Sequence, residues 1–221
     1  LGYSFFETEH LVVSAIGKLN YEKSYFSRWH PENILVDSSS SNSVISTPDE
    51  GDQNTIEPSE DYQKSVVNIN EVSDRDWAID AGIQLNWFIN KTTDAKLNIL
   101  HDINNVYNGF NGQLALTKRV TLVALPSTLM SFSLGANWNS ESLVDYYYGI
   151  SKQRDPKAKV GYQGKQSINP YLRFALKHQL SEHWRVRVQV KRVFLATGTT
   201  NSPLVKEDHV NTFFAGVTYD F

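Results

Sequence analysis

Cysteine is absent from the 221 residues, which excludes disulfide frameworks, thiol catalysis and Cys-ligated zinc. Cationic charge is also in deficit. Lys+Arg number 21 against 24 Asp+Glu, a formal charge of −3, so no net positive field exists to hold a polyanion, and nucleic acid is not an expected partner. No run of about 18 apolar residues occurs, so no transmembrane helix is predicted. The opening Leu1-Gly2-Tyr3-Ser4 carries neither a basic stretch nor a hydrophobic targeting segment, and any signal peptide is expected to have been removed already. Gly-x-Ser-x-Gly and His-Glu-x-x-His are both missing, so no catalytic residue is assigned and no cofactor is called for. A mean hydropathy of −0.40 suits a soluble protein, but it also suits a membrane β-barrel, whose lipid-facing residues are diluted by polar lumen and loop residues.

What the sequence does contain is a period of two. In His183–Leu195, Trp184, Val186, Val188, Val190 and Phe194 alternate with Arg185, Arg187, Gln189 and Lys191; only Arg192 breaks the apolar stripe. Strand side chains point to opposite faces in turn, so this is a strand with one apolar and one polar side. The same alternation runs through Asn211–Phe221, Asn169–Leu180, Trp77–Ile89, Ala95–Asn104, Gln113–Ala124 and Thr128–Trp138, and more weakly through His10–Tyr21. With Gly2–Phe6 these make nine strands, most of them the 9–11 residues that cross a bilayer at a tilt. No helix is predicted.

The connections alternate in length. Glu7–Glu9, Asn90–Asp94, Leu125–Ser127 and Ser181–Glu182 read as tight turns; Glu22–Asp76, Tyr107–Gly112, Asn139–Ser167 and Ala196–Val210 read as external loops, mostly long. Outer-membrane barrels sort their connections in this way, short turns in the periplasm and longer loops outside. The predicted fold is therefore all-β: one transmembrane antiparallel up-and-down β-barrel domain over residues 1–221, with a long acidic external loop at 22–76. Single-chain bacterial barrels have even strand numbers, so ten to twelve strands are expected in the whole protein, with N-terminal sequence preceding Gly2.

Aromatic residues fall where such a barrel meets the two membrane interfaces. On the apolar faces, Trp87, Trp184, Tyr219 and Phe221 lie at the turn side, and Tyr21, Trp77, Trp138, Phe194 and Phe213 at the loop side, two girdles in contact with outer-membrane lipid. The polar faces of the C-terminal strands carry Arg173, Lys177, Arg185, Arg187 and Lys191, while Asp80, Asp102 and Asp220 lie on the polar faces of other strands. Such residues can form an anion-attracting pore wall. Alternatively they pair across a narrow lumen and plug it, which ten to twelve strands favour.

Between Glu32 and Tyr62 there are eight acidic residues and no Lys or Arg, a composition that cannot bury enough apolar surface to order itself. Asp49, Glu50 and Asp52 lack the ligand order of a calcium loop. His101 and His178 fall on lipid-facing positions near strand ends and are read as structural.

At Asp145-Tyr146-Tyr147-Tyr148-Gly149-Ile150-Ser151 the chain resembles the MipA/OmpV family of outer-membrane proteins, the MltA-interacting protein family. Leu1-Gly2-Tyr3-Ser4-Phe5-Phe6-Glu7, Asp74-Arg75, Asp80-Ala81-Gly82, Ser202-Pro203 and the terminal Gly216–Phe221 support it. The resemblance implies location in the outer membrane of a Gram-negative bacterium. It also implies a non-enzymatic scaffold that bridges a lytic transglycosylase and a penicillin-binding protein in murein synthesis, other members being surface antigens or adhesins. A passive, porin-like channel for small solutes is the alternative that the basic lumen residues favour. Tyr146, Tyr147 and Tyr148 are expected at the rim, as anchors or as a binding platform.

Overall fold

The structure, a computed structural model, describes residues 2–20, 33–36, 65–68, 72–122, 125–158 and 161–220. Nine strands form one antiparallel meander: β1 (Gly2–Glu7), β2 (Leu11–Asn20), β5 (Ala78–Asn90), β6 (Thr93–Asp102), β7 (Phe110–Leu122), β8 (Leu125–Asn139), β9 (Ser167–Gln179), β10 (Trp184–Phe194) and β11 (His209–Tyr219). Each pairs with the next along the sheet. β1 and β11 are its two edges and run parallel to each other, because eight antiparallel pairings separate them. Separately, β3 (Asn33–Val36) pairs with β4 (Ser65–Asn68). β3 lies inside the stretch expected to lack order; Ile34-Leu35-Val36 pairs with Val66-Val67, two uncharged runs rich in β-branched residues. The calcium candidates Asp49, Glu50 and Asp52, along with Tyr21 and Phe221, lie outside the described residues.

Register sorts the side chains as the alternation predicts. Trp184, Val186, Val188 and Val190 of β10 pair with Tyr219, Val217, Ala215 and Phe213 of β11, on the outer face. Arg185, Arg187, Gln189 and Lys191 point inward with Thr218, Gly216, Phe214 and Thr212. The outer face is apolar and exposed: Ile83, Trp87, Leu134, Leu172 and Val217 are all open to the surroundings. A sheet with that surface needs lipid against it. No helix among the described residues is long and apolar enough to cross a membrane.

Connection length follows the expected sorting. Short links (8–10, 91–92 and 180–183) fall at one end of the sheet, and 103–109, 140–166 and 195–208 at the other. Boundaries shift in places. β7 starts at Phe110 rather than Gln113, because Phe110 still pairs with His101, edge-on at a 4.4 Å ring separation. β8 starts at Leu125, inside the predicted turn, because Leu125 pairs with Leu122. Trp77 precedes β5 instead of opening it. The absence of helix was wrong: α1 (Glu141–Tyr148) and the single turn α2 (Thr197–Thr200) lie within the two C-terminal loops.

Candidate functional site

The best-ordered polar structure sits where the long connections meet the inner face. Ser140 caps α1, its hydroxyl accepting from Leu143 N at 3.4 Å, and Glu141 places negative charge in the first turn. Leu143, Val144 and Tyr147, at i, i+1 and i+4, form one apolar face. They pack on Ala78 and Tyr107 in a buried cluster. The tyrosines are therefore not rim anchors in contact with lipid. Tyr147 is 2% exposed, 6.0 Å from the Tyr107 ring, and Tyr146 packs edge-on against it at 5.1 Å.

The Asp145–Gly149 motif is the hub of this cap. Asp145 accepts the N–H of Gly164 at 2.9 Å and pairs with Arg154 at 2.7 Å. Tyr146 offers its carbonyl to Arg75 Nε at 2.6 Å and its hydroxyl to Asp76 N at 2.9 Å. The Arg75 and Arg154 guanidinium groups lie 5.8 and 5.9 Å from its ring centre. Tyr148 O accepts from Ser202 Oγ at 2.5 Å, tying the 195–208 connection to the helix. Gly164 has no room for a side chain: a Cβ there would lie 2.5 Å from Asp145 N.

Two buried carboxylates hold the cap from opposite sides. Asp155 accepts from Arg75 Nη1 at 3.1 Å, Ser73 N at 2.9 Å and Ser151 N at 3.3 Å. Burial pushes its pKa up, but the Arg75 bond and charge and the two backbone N–H groups outweigh this and hold it below the usual carboxylate range. Asp80, fully buried on β5, accepts from Tyr107 Oη at 2.5 Å and from Asn111 Nδ2 at 2.8 Å. Burial, then the Asp80 bond, drives the Tyr107 phenol well above its ordinary value. Opposite Asp80 in register, Asp102 receives the N–H groups of Asn104, Tyr107 and Asn108 at 3.0, 2.7 and 2.9 Å. That turn uses positive φ at Asn105 (57°) and Asn108 (47°), the residue type that tolerates it. The two acids on β5 and β6 thus build the cap.

Further down, the inner face is basic. Lys191, Arg173, Ser133 and Thr117 form one cross-strand row over β10, β9, β8 and β7. Arg173 donates to Ser133 Oγ at 2.8 and 3.2 Å, and Lys191 Nζ lies 4.2 Å over the Tyr171 ring. The interior salt bridges among the described residues are Arg119–Asp94 at 2.7 Å and Arg185–Asp220. Ion pairing therefore engages the lower rim, and Arg173 and Lys191 have hydroxyl and aromatic partners instead of carboxylates. Lys177 and Arg187, paired in register, are exposed near the turn end. His178 shares a 2.7 Å hydrogen bond with Thr128 on the outer face. Of the proposed girdle, Trp77, Trp87, Trp184, Phe213 and Tyr219 are exposed and Trp138 is half-buried.

Arg75, Tyr107, Asn111 and Asp155 were not singled out from sequence. Only Asp74-Arg75 stood out there, without a role; Asp155 has no local signal, being 80 residues from its partner.

A meander of long strands with an apolar outer face, a charged inner face and connections sorted by length is the architecture of an outer-membrane β-barrel protein. The chain belongs to the family described as MltA-interacting protein MipA, which matches residues 1–221, and it is a protein of the Gram-negative outer membrane. It is 28% identical over 131 residues to the MltA-interacting protein of Escherichia coli (strain K12), covering 59% of this chain and 47% of that one. The MltA-interacting protein of Shigella flexneri matches equally. A protein of Escherichia coli (strain K12) described as "Putative outer membrane protein YiaT" is 26% identical over 121 residues, 54% of this chain and 48% of its own. The chain spans about half the length of the curated relatives it matches. No solved structure matches it.

Proposed function

We propose that the chain is the membrane part of a non-enzymatic scaffold, one that holds a lytic transglycosylase, and with it a penicillin-binding protein, at the periplasmic side of the outer membrane. The observation that carries this is the cap. A loop end held by the buried Arg75–Asp155 pair and a packed helix suits a rigid platform better than a free solute pathway. The name of the Escherichia coli relative, MltA-interacting protein, supports the choice of partner. Among the described residues, the turn end consists of the short links 8–10, 91–92 and 180–183 and the start of β8 at Leu125, a small area against the roughly 1,200–2,000 Å² of a stable interface. The barrel rim therefore binds weakly by itself. Affinity capture with the full-length protein, extracted in mild detergent, tests the proposal on solubilised envelopes. Recovery of a transglycosylase or penicillin-binding protein, lost when the bait is boiled, supports it. A folded bait that captures neither overturns it.

A second function, passage of small anions, rests on the inner row of Arg173 and Lys191. Bilayer conductance with anion selectivity, reversed by Arg173→Glu, would favour it over the scaffold.

A further inference from the structure

Arg192 is the one residue of β10 that breaks the apolar outer stripe, and the register shows what it stands beside. Two neighbouring rows cross the outer face at right angles to the strands. One runs Val190, Phe174, Phe132, Lys118; the other runs Arg192, Leu172, Leu134, Leu116. Between them lies a groove of about 590 Å³. Its walls are apolar, with Phe132 and Phe174 in tilted contact at 5.1 Å. It crosses three strand spacings, about 14 Å.

The two ends of the groove differ. Lys118, near the tight turns, donates its ammonium to Thr92 Oγ1 at 2.8 Å and to Thr93 Oγ1 at 3.3 Å. Arg192, two residues from the loop end of β10, donates Nε to Asn211 Oδ1 at 2.7 Å and is exposed. A guanidinium has five N–H donors in a fork suited to phosphate, and the bond to Asn211 uses Nε alone. A cation there is tolerated near the interface, and gains most where an anion meets it.

We infer that this groove binds a phosphorylated, multiply acylated glycolipid of the outer leaflet, one acyl chain lying along Leu116, Leu134, Leu172 and Phe132, and a phosphate seated on Arg192. The position of the cation selects the leaflet: Arg192 lies at the long-connection end, which faces outward, and there the lipid is a glycolipid rather than a glycerophospholipid. The inference rests on the outer-membrane location alone and is independent of whether the barrel acts as scaffold or channel.

Native mass spectrometry of the full-length protein in detergent provides the test, with lipid A and phosphatidylglycerol added in equal amounts. One lipid A is expected to be retained, about tenfold in preference to phosphatidylglycerol and to dephosphorylated lipid A. Arg192→Gln should lose about the same factor, and Arg192→Lys should recover part of it. Equal retention of phosphatidylglycerol, or retention undiminished by removal of the phosphates, overturns the inference, as does a folded Arg192→Gln protein that binds as before. Should Arg192→Gln fail the boiled-versus-unboiled gel test of folding, the comparison of phosphorylated and dephosphorylated lipid on the unaltered protein decides.

Discussion

Arg75 and Asp155, 80 residues apart, form an ion pair of 3.1 Å with side chains only 5% and 0% exposed. Arg75 also donates to Tyr146 O and Gly149 O, so one guanidinium joins the approach to β5, the end of α1 and the 150–158 turn. Removing one partner of such a pair leaves an uncompensated buried charge.

Arg75→Met is therefore expected to destabilise the cap by about 3–5 kcal/mol, and Arg75→Met with Asp155→Leu by much less. Trypsin nicking at the exposed Lys152 and Lys157 reads this out. The single variant should be cut faster, the double variant at close to the original rate, and both barrels should keep their unboiled gel mobility. Equal cutting of single and double variants would rule out the buried-charge explanation.

The cap is expected to loosen in acid. The Asp155 pKa is depressed in the folded protein, so its contribution is complete above the unfolded carboxylate value of about 3.9 and is lost as pH falls below it, through the depressed value. Near-UV circular dichroism from the packed Tyr146 and Tyr147 should be flat from about pH 7 to 5 and decline below about 4. In the Arg75→Met, Asp155→Leu protein that transition should be smaller, since only the remaining cap carboxylates, Asp80, Asp102 and Asp145, contribute to it.

Tyr107→Phe removes the donor at 2.5 Å from buried Asp80, at a cost of about 1–3 kcal/mol. The same bond keeps the phenol protonated. Because its pKa is raised, its contribution is present below the ordinary tyrosine value of about 10 and is lost as pH rises through the raised one. Ultraviolet titration should show the same number of tyrosines ionising near pH 10 in the unaltered protein and in Tyr107→Phe, because the phenol removed does not ionise there. One tyrosine more in the unaltered protein would contradict the buried hydrogen bond.

Two glycines in one loop should behave differently. A Cβ at Gly164 would sit 2.5 Å from Asp145 N and 2.6 Å from Val144 C, whereas one at Gly161 would meet Ile150 O at 3.6 Å. Gly164→Ala must push the loop off α1, and so raise tryptic cutting at Lys152 and Lys157; Gly161→Ala should leave it unchanged. Sensitivity of both to the same degree would mean that the loop is not seated on the helix.

The barrel was legible because its information is local. In β10, Trp184 to Lys191 states its two faces within eight residues, since a strand repeats every two and each position meets either lipid or interior. Strand ends were less so: Phe110 and Leu125 pair at positions that composition marks as loop and turn. Helix α1 was missed for a related reason. Leu143, Val144 and Tyr147 give only two turns of helical period, and three consecutive tyrosines carry strand propensity; packing on Ala78 and Tyr107 outweighs that preference.

By itself, then, the sequence determined the sheet, its inner and outer faces, the sorting of its connections and its place in a membrane, because alternation and turn chemistry act between near neighbours. Tertiary structure alone decided that Asp80 and Asp155 serve the cap rather than a pore. It also placed Arg192 at the end of an apolar groove whose walls come from five different strands. Those relationships depend on strand register and on loops folding back over the interior, and contacts between residues some 80 positions apart leave no periodic trace in the chain.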